Sequence, residues 1–211
     1  MNKNIKKMLL TMLMIISLSV GASLTIKAAI GIGAWDALAQ TISNITNIKI
    51  GTMGMILNII CIGIQAVLLK KEFGIKHLAQ IAVSVLLGFS INFVYYNLLG
   101  KIEINSYIIN LLLFILGMVI ASFSVGAIMV IDYVTLAVEG ACMAVSNKFG
   151  LKFPVVRQWV DIFSIAISIA LSLIFSTPLS VREGTVLGML IFSPLMGFAI
   201  KKFAPIADKI L

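Results

Sequence analysis

Asp36, Glu139, Arg157 and Asp161 are ionisable side chains set within or beside long apolar runs, where a charge is tolerated when it faces protein, water or a passing solute. Arg157 and Asp161 are four residues apart, so on a helix they share a face and can pair as opposite charges. Two readings of that pair stay open: a structural staple for a helix bundle, or a gate or proton-linked pair in which Asp161 titrates. Gly31, Gly33, Trp35 and Asp36 form a second cluster. There the glycines permit a tight reversal before a short helix, and Asp36 in its first turn complements the helix dipole. This segment reads either as an interfacial helix with Trp35 at headgroup level, or as a wall of a substrate cavity built from Trp35 and Asp36. Glu139 and Gly140 carry the same pair of readings further along the chain. Arg182, Glu183, Gly184 and Thr185 open the last apolar run. Glu183 suits an ordinary helix start, and Arg182 or Thr185 are candidates for a substrate-facing role.

Other chemistries find no support in these residue types. A hydrolytic or transfer enzyme needs a nucleophile with a base, paired carboxylates or metal-ligand clusters. The single histidine, His77, stands in a Lys-rich loop without partners, and Asp132 reads as a boundary residue. No enzyme, no cofactor and no metal site are therefore expected. Cys61 and Cys142 both lie in apolar stretches, which predicts no disulfide. The eleven methionines read as lipid-facing or gap-filling. A net charge of +8 could suggest nucleic acid, but the lysines sit between apolar runs and not in a stripe, so no nucleic-acid partner is expected.

The elements that must position these groups follow from composition. Of 211 residues, 61% are apolar and 11% charged, and the mean hydropathy is +1.13. A soluble domain carries about a quarter charged residues, so the partner of this surface is a lipid bilayer. One membrane domain is expected over residues 1–211. Runs long enough to span cover roughly Met8 to Ile26, Thr52 to Leu69, Leu78 to Leu99, Tyr107 to Ile131, Val155 to Phe175 and Gly184 to Ile200. The first also resembles a signal peptide, with Lys3, Lys6 and Lys7 ahead of its apolar core, but the internal repeat described below needs it as a retained helix.

With the N-terminus inside, twelve Lys and Arg residues fall on the cytoplasmic side: Lys3, Lys6, Lys7, Lys70, Lys71, Lys76, Lys148, Lys152, Arg157, Lys201, Lys202 and Lys209. Four fall opposite: Lys27, Lys49, Lys101 and Arg182. The positive-inside rule then predicts six spans with both termini cytoplasmic. Ala28 to Gly51 and Asp132 to Pro154 are too long for plain loops and contain short helices at about Ala34 to Ile45 and Ala137 to Phe149. If both crossed, eight spans would give a charge split of eleven to five. Six is preferred because crossing would bury Asp36 and Glu139 in hydrocarbon at roughly 2.5–3.5 kcal/mol each. The short helices are then re-entrant or interfacial.

A shift of 103 positions aligns Asp36 with Glu139, Ser43-Asn44 with Ser146-Asn147, Lys49 with Lys152, Asn58 with Asp161, Gln80 with Glu183, and Phe89-Ser90 with Phe192-Ser193. Asn58 can hydrogen-bond but cannot titrate, so any proton coupling at this repeat position would be asymmetric. Repeat one covers about residues 1–103 and repeat two about 104–211. Three spans per unit turn the second upside down relative to the first, the inverted-repeat plan of many secondary transporters. The expected fold class is all-α, a polytopic bundle of six transmembrane helices with two short ones. Gly184 and Gly188 form a small-xxx-small pair, read as packing within the bundle or, alternatively, as a homo-oligomer seam.

The chain resembles the YczE/YitT-like bacterial membrane proteins at Gly31-Ile32-Gly33-Ala34-Trp35-Asp36-Ala37-Leu38 and Ile50-Gly51-Thr52. It does so again at Arg157 with Asp161 and at Gly184-Thr185-Val186 leading to Ser193-Pro194. It departs in having Ala34 in place of a proline before Trp-Asp, in Val138-Glu139-Gly140 where Arg-Asp-Gly is the pattern, and in lacking a Gly-Thr before the third span. The resemblance implies architecture and a bacterial inner-membrane location more than activity. The leading expectation is a permease for a small-molecule substrate, with a site among Trp35, Asp36, Glu139, Arg157 and Asp161. A substrate-capturing subunit of an energy-coupling transporter and a non-transporting regulatory or scaffold protein are the alternatives.

Overall fold

The computed structural model describes residues 3–210, with side chains placed through Ala207. Met1, Asn2 and Leu211 lie outside the described residues, as does the side chain of Lys209 counted in the charge balance. The elements are α1 (Lys3–Ala28), α2 (Ala34–Thr46), α3 (Ile50–Leu69), α4 (Ile75–Asn92), α5 (Tyr107–Ile131), α6 (Ala137–Phe149), α7 (Phe153–Ile174) and α8 (Glu183–Ile210). No strand occurs among the described residues. Six of these helices are long and apolar enough to cross a membrane. α2 and α6 have 13 residues each, about 20 Å at 1.5 Å per residue, short of the roughly 30 Å hydrocarbon core. The protein is thus an all-α polytopic bundle, and large apolar side chains such as Val67, Ile108, Leu173 and Ile174 are exposed on its outer faces.

Helix ends depart from the apolar runs for local reasons. α1 begins at Lys3 and α8 runs on to Ile210, because the lysines bounding their apolar cores are good helix formers and continue the helix into the polar region. Pro194 and Pro205 sit inside α8 without ending it. α4 continues as a π-helical turn over Phe93–Leu98, which accounts for the apolar run reaching Leu99.

Backbone geometry repeats at the spacing seen in the sequence. The first span of each unit ends in a left-handed residue, Ala29 (φ 53°) and Asp132 (φ 47°). Each short helix ends in another, Asn47 (φ 58°) and Gly150 (φ 65°). Beside these caps the Ser43 hydroxyl donates to the Ile48 carbonyl and the Ser146 hydroxyl to the Leu151 carbonyl, both at 2.5 Å. α1 and α5 lie side by side and antiparallel. The Ser124 hydroxyl donates to that of Ser17 at 2.9 Å, Gly21 faces Ala121, and Thr25 faces Gly117, so numbering rises along one helix as it falls along the other. A Cβ on Gly21 would come within 2.8 Å of the Gly117 carbonyl, and one on Gly117 within 2.7 Å of the Gly21 carbonyl. Ser19 and Ser122, equivalent under the 103-residue shift, are both fully buried at the middle of this seam. The remaining contacts exchange reciprocally: α2 packs on α7 and α6 on α3, α1 on α4 and α5 on α8.

One contact breaks the symmetry. α3 lies along α4, whereas α7 does not pack along α8. In the first unit Gly51 and Gly88 bring the backbones together, a Cβ on Gly51 falling 2.1 Å from the Gly88 carbonyl. Asn92 then accepts from the Gly51 amide (2.9 Å) and donates to Thr52 Oγ1 (3.0 Å), and the Gln65 and Gln80 amides exchange hydrogen bonds at 2.8 and 3.1 Å. The second unit has Pro154, Ile191, Leu195, Ser168 and Glu183 at those places, bulk where closeness is needed and no amide pair. Gly184 and Gly188 pack within the bundle, against Ile30 and Phe114 and against Met118.

Gly88→Ile, which copies Ile191 into the first unit, should force α3 from α4 and destabilise the protein by about 2 kcal/mol or more. The thermal midpoint of the solubilised protein should fall by several degrees, while Ile191→Ala should leave it near that of the parent. Equal effects of the two substitutions would contradict the asymmetry.

Candidate functional site

A cavity of about 140 Å³ lies at the centre of the bundle, and every one of the eight helices lends it at least one side chain. Such a volume suits a small solute, since drug-sized pockets run to roughly 300–1,000 Å³. The first turns of the two short helices reach it, carrying Trp35 and Asp36 on α2 and Glu139 on α6. Helix N-termini hold a partial positive charge of about half a unit, which explains why acidic residues are accommodated there.

Arg157, four residues into α7, joins the two halves. Its guanidinium donates to Asp161 one turn on and lies 3.7 Å from Glu139. Asp36 faces the same guanidinium electrostatically, yet it makes no hydrogen bond and no ion pair within 4 Å among the described residues. A smaller adjoining cavity is lined by Asp36, Arg157 and Asp161 together with Gly188 and Ser193 of α8, on the side where α7 and α8 stand apart. The Trp35 indole nitrogen is buried without a hydrogen-bond partner.

Five of the seven residues expected at a site therefore converge: Trp35, Asp36, Glu139, Arg157 and Asp161. Arg182 and Thr185 lie apart from the cavity. Thr185 is fully buried, and its hydroxyl accepts from the Ile32 amide (3.2 Å) and the Arg182 amide (3.3 Å). The Gly184 amide donates to the Ile30 carbonyl at 2.8 Å, and the Arg182 side chain donates to the Ala29 carbonyl. Together they clip the start of α8 to the turn that leads into α2. Gly31 at φ +125° sits so close beneath this clip that a Cβ would meet the Thr185 amide nitrogen at 2.5 Å. The clip fixes the chain just ahead of Trp35 and Asp36.

Sequence reasoning did not single out Gln65, Ser84 or Gly54. Gln65 is fully buried and donates to the Ala137 carbonyl at 3.1 Å as well as to Gln80, so it anchors the start of α6. Gly140 is required there, since a Cβ would approach Gln65 Oε1 to 2.7 Å. A glutamine in an apolar run was the available signal.

The fold and site define an all-α polytopic membrane protein with a central cavity that is mostly apolar and is reached by Asp36, Glu139 and Arg157. The chain belongs to DUF6198, a family of unknown function, whose profile matches residues 5–201. No curated protein and no solved structure matches it.

Arg157→Ala leaves the buried Glu139 and the half-buried Asp161 without their counter-charge, a change whose upper bound is the about 3–5 kcal/mol of losing one partner of a fully buried pair. Its thermal midpoint should drop sharply, and the neutral triple variant Glu139→Gln, Arg157→Gln, Asp161→Asn should recover most of the loss. A triple variant no more stable than Arg157→Ala would show that charge pairing is not what Arg157 contributes.

Proposed function

We propose that this protein is a permease for a small solute, moving it through the central cavity by exposing that cavity alternately to the two membrane faces. The observation that carries the reading is the cavity's place: it lies between two antiparallel units and is reached by the charged first turns of two half-length helices. Discontinuous or short helices meeting between inverted repeats are how many secondary transporters build a substrate site. The missing α7–α8 contact adds a seam able to move without breaking an amide clamp of the kind that joins α3 to α4.

The reading places the protein in a bacterial inner membrane with both termini in the cytoplasm, supported by the twelve-to-four distribution of basic residues. Kinship with YczE/YitT-like proteins belongs to the same proposal. Its support is the set of motifs at Gly31 to Leu38, Ile50 to Thr52, Arg157 with Asp161, and Gly184 to Val186.

Purified protein in liposomes should exchange a labelled solute against the same unlabelled solute inside, and Asp36→Asn should abolish the exchange while the protein remains folded. Failure of a panel of amino acids, organic cations, organic anions and neutral metabolites to exchange, with and without a proton gradient, would overturn the proposal.

A further inference from the structure

The pseudo-symmetry of the cavity carries information about what fits it. Arg157 on α7 bridges Glu139 and Asp161 in the second unit. Under the 103-residue shift the equivalents of Glu139 and Asp161 are Asp36 and Asn58, and the equivalent of Arg157 is Gly54. The first unit thus presents the acceptors of such a bridge without the cation. Gly54 lines the cavity, and a Cβ built on it meets nothing within 4 Å, so the space is open.

The acceptors there lack partners. Asn58 is 9% exposed and Ser84 2%; both line the cavity, and neither makes a hydrogen bond among the described residues. Their polar atoms open onto the cavity, within reach of a solute. Charge points the same way. Asp36, Glu139 and Asp161 face one guanidinium and two helix N-termini worth about half a positive charge each, which leaves an excess of roughly one negative charge in a largely apolar setting. No lysine lines the cavity. Among the described residues no three His, Cys, Asp or Glu side chains stand close enough together to hold a metal ion, so the geometry suits a cation that brings its own N–H donors.

We infer that the cavity binds a small organic monocation headed by a guanidinium or amino group, which lies beside Gly54, donates to Asp36 and Asn58, and takes the place that Arg157 occupies in the other unit. The cation's apolar part lies along Val83 and Leu87 of α4. This deepens the permease reading and rests on it for the consequence that the cation is moved as well as bound.

The test is isothermal titration of the full chain in nanodiscs with butylguanidinium, using butyrate and butanol as anionic and neutral controls. Saturable binding of butylguanidinium alone is expected. Asp36→Asn and Asn58→Leu should each weaken it at least tenfold, about 1.4 kcal/mol. Gly54→Arg, which supplies the cation covalently, should abolish binding while the thermal midpoint equals or exceeds that of the parent. Binding of butylguanidinium no stronger than of the controls, or unchanged binding in Asp36→Asn, would overturn the inference, as would a folded Gly54→Arg protein that binds normally. Exchange of anions or neutral solutes by liposomes without butylguanidinium binding would sink this inference and leave the permease standing. Site-dependent binding with no flux of any solute would do the reverse.

Discussion

The antiparallel seam between α1 and α5 is the constraint on which the rest of the molecule depends. In a bilayer, lipid tails are as apolar as leucine, so helices associate through close packing and hydrogen bonds and not through burial from water. Gly21 and Gly117 meet backbone to backbone, and a methyl group on either would collide with a carbonyl of the other helix. Around them Ser19, Ser23 and Ser122 are completely buried, with Ser19 and Ser122 turning their hydroxyls back to carbonyls of their own helices. A seam that sets the middle of one unit's first helix on the middle of the other's makes the further contacts, α3 with α4 excepted, arrive in reciprocal pairs.

From that seam the cavity follows. α2 and α6 are too short to cross and are carried on the opposite unit, α2 on α7 and α6 on α3, so their first turns are directed to the centre. There the two units diverge in chemistry. One closes its half with the Arg157 bridge to Glu139 and Asp161. The other has glycine and asparagine at the matching places and gains open space lined by unpartnered acceptors. It is held shut along α3–α4 by Gly51, Gly88 and two amide pairs, whereas the unit with the ion pair lacks the corresponding α7–α8 contact. Rigidity and charge pairing are thus distributed to opposite halves.

The plan of this molecule was legible because polar residues in an apolar chain are few and informative. Asp36 with Glu139 and Asn58 with Asp161 revealed the 103-residue shift, and the short helices between spans were visible from loops too long to be empty. The shift paired Asp36 with Glu139, whereas Trp35 came from its place beside Gly31, Gly33 and Asp36, and Arg157 from its four-residue spacing to Asp161. Other features depend on what lies opposite in space. Gly51 and Gly88 are separated by 37 positions and read as ordinary small residues until their backbones are seen to touch. Arg182 and Thr185 carry functional residue types, but their hydrogen bonds go to backbone groups at Ala29 and Ile32, partners with no side-chain signature. The extension of α8 past Ile200 and through Pro205 was hidden for a different reason, since a proline normally predicts a helix boundary.

The central claim is that the two units face opposite sides of the membrane, and the matching caps at Ile48 and Leu151 test it most directly. Both residues are exposed, at 38% and 51%, and both accept the serine hydroxyl that ends a short helix. In a background with Cys61 and Cys142 replaced by alanine, single cysteines at these positions are labelled with a membrane-impermeant thiol reagent in intact cells and in inverted vesicles. The account predicts that position 48 reacts only in intact cells and position 151 only in inverted vesicles. Reaction of both positions from the same face would contradict the inverted repeat and, with it, the origin of the cavity.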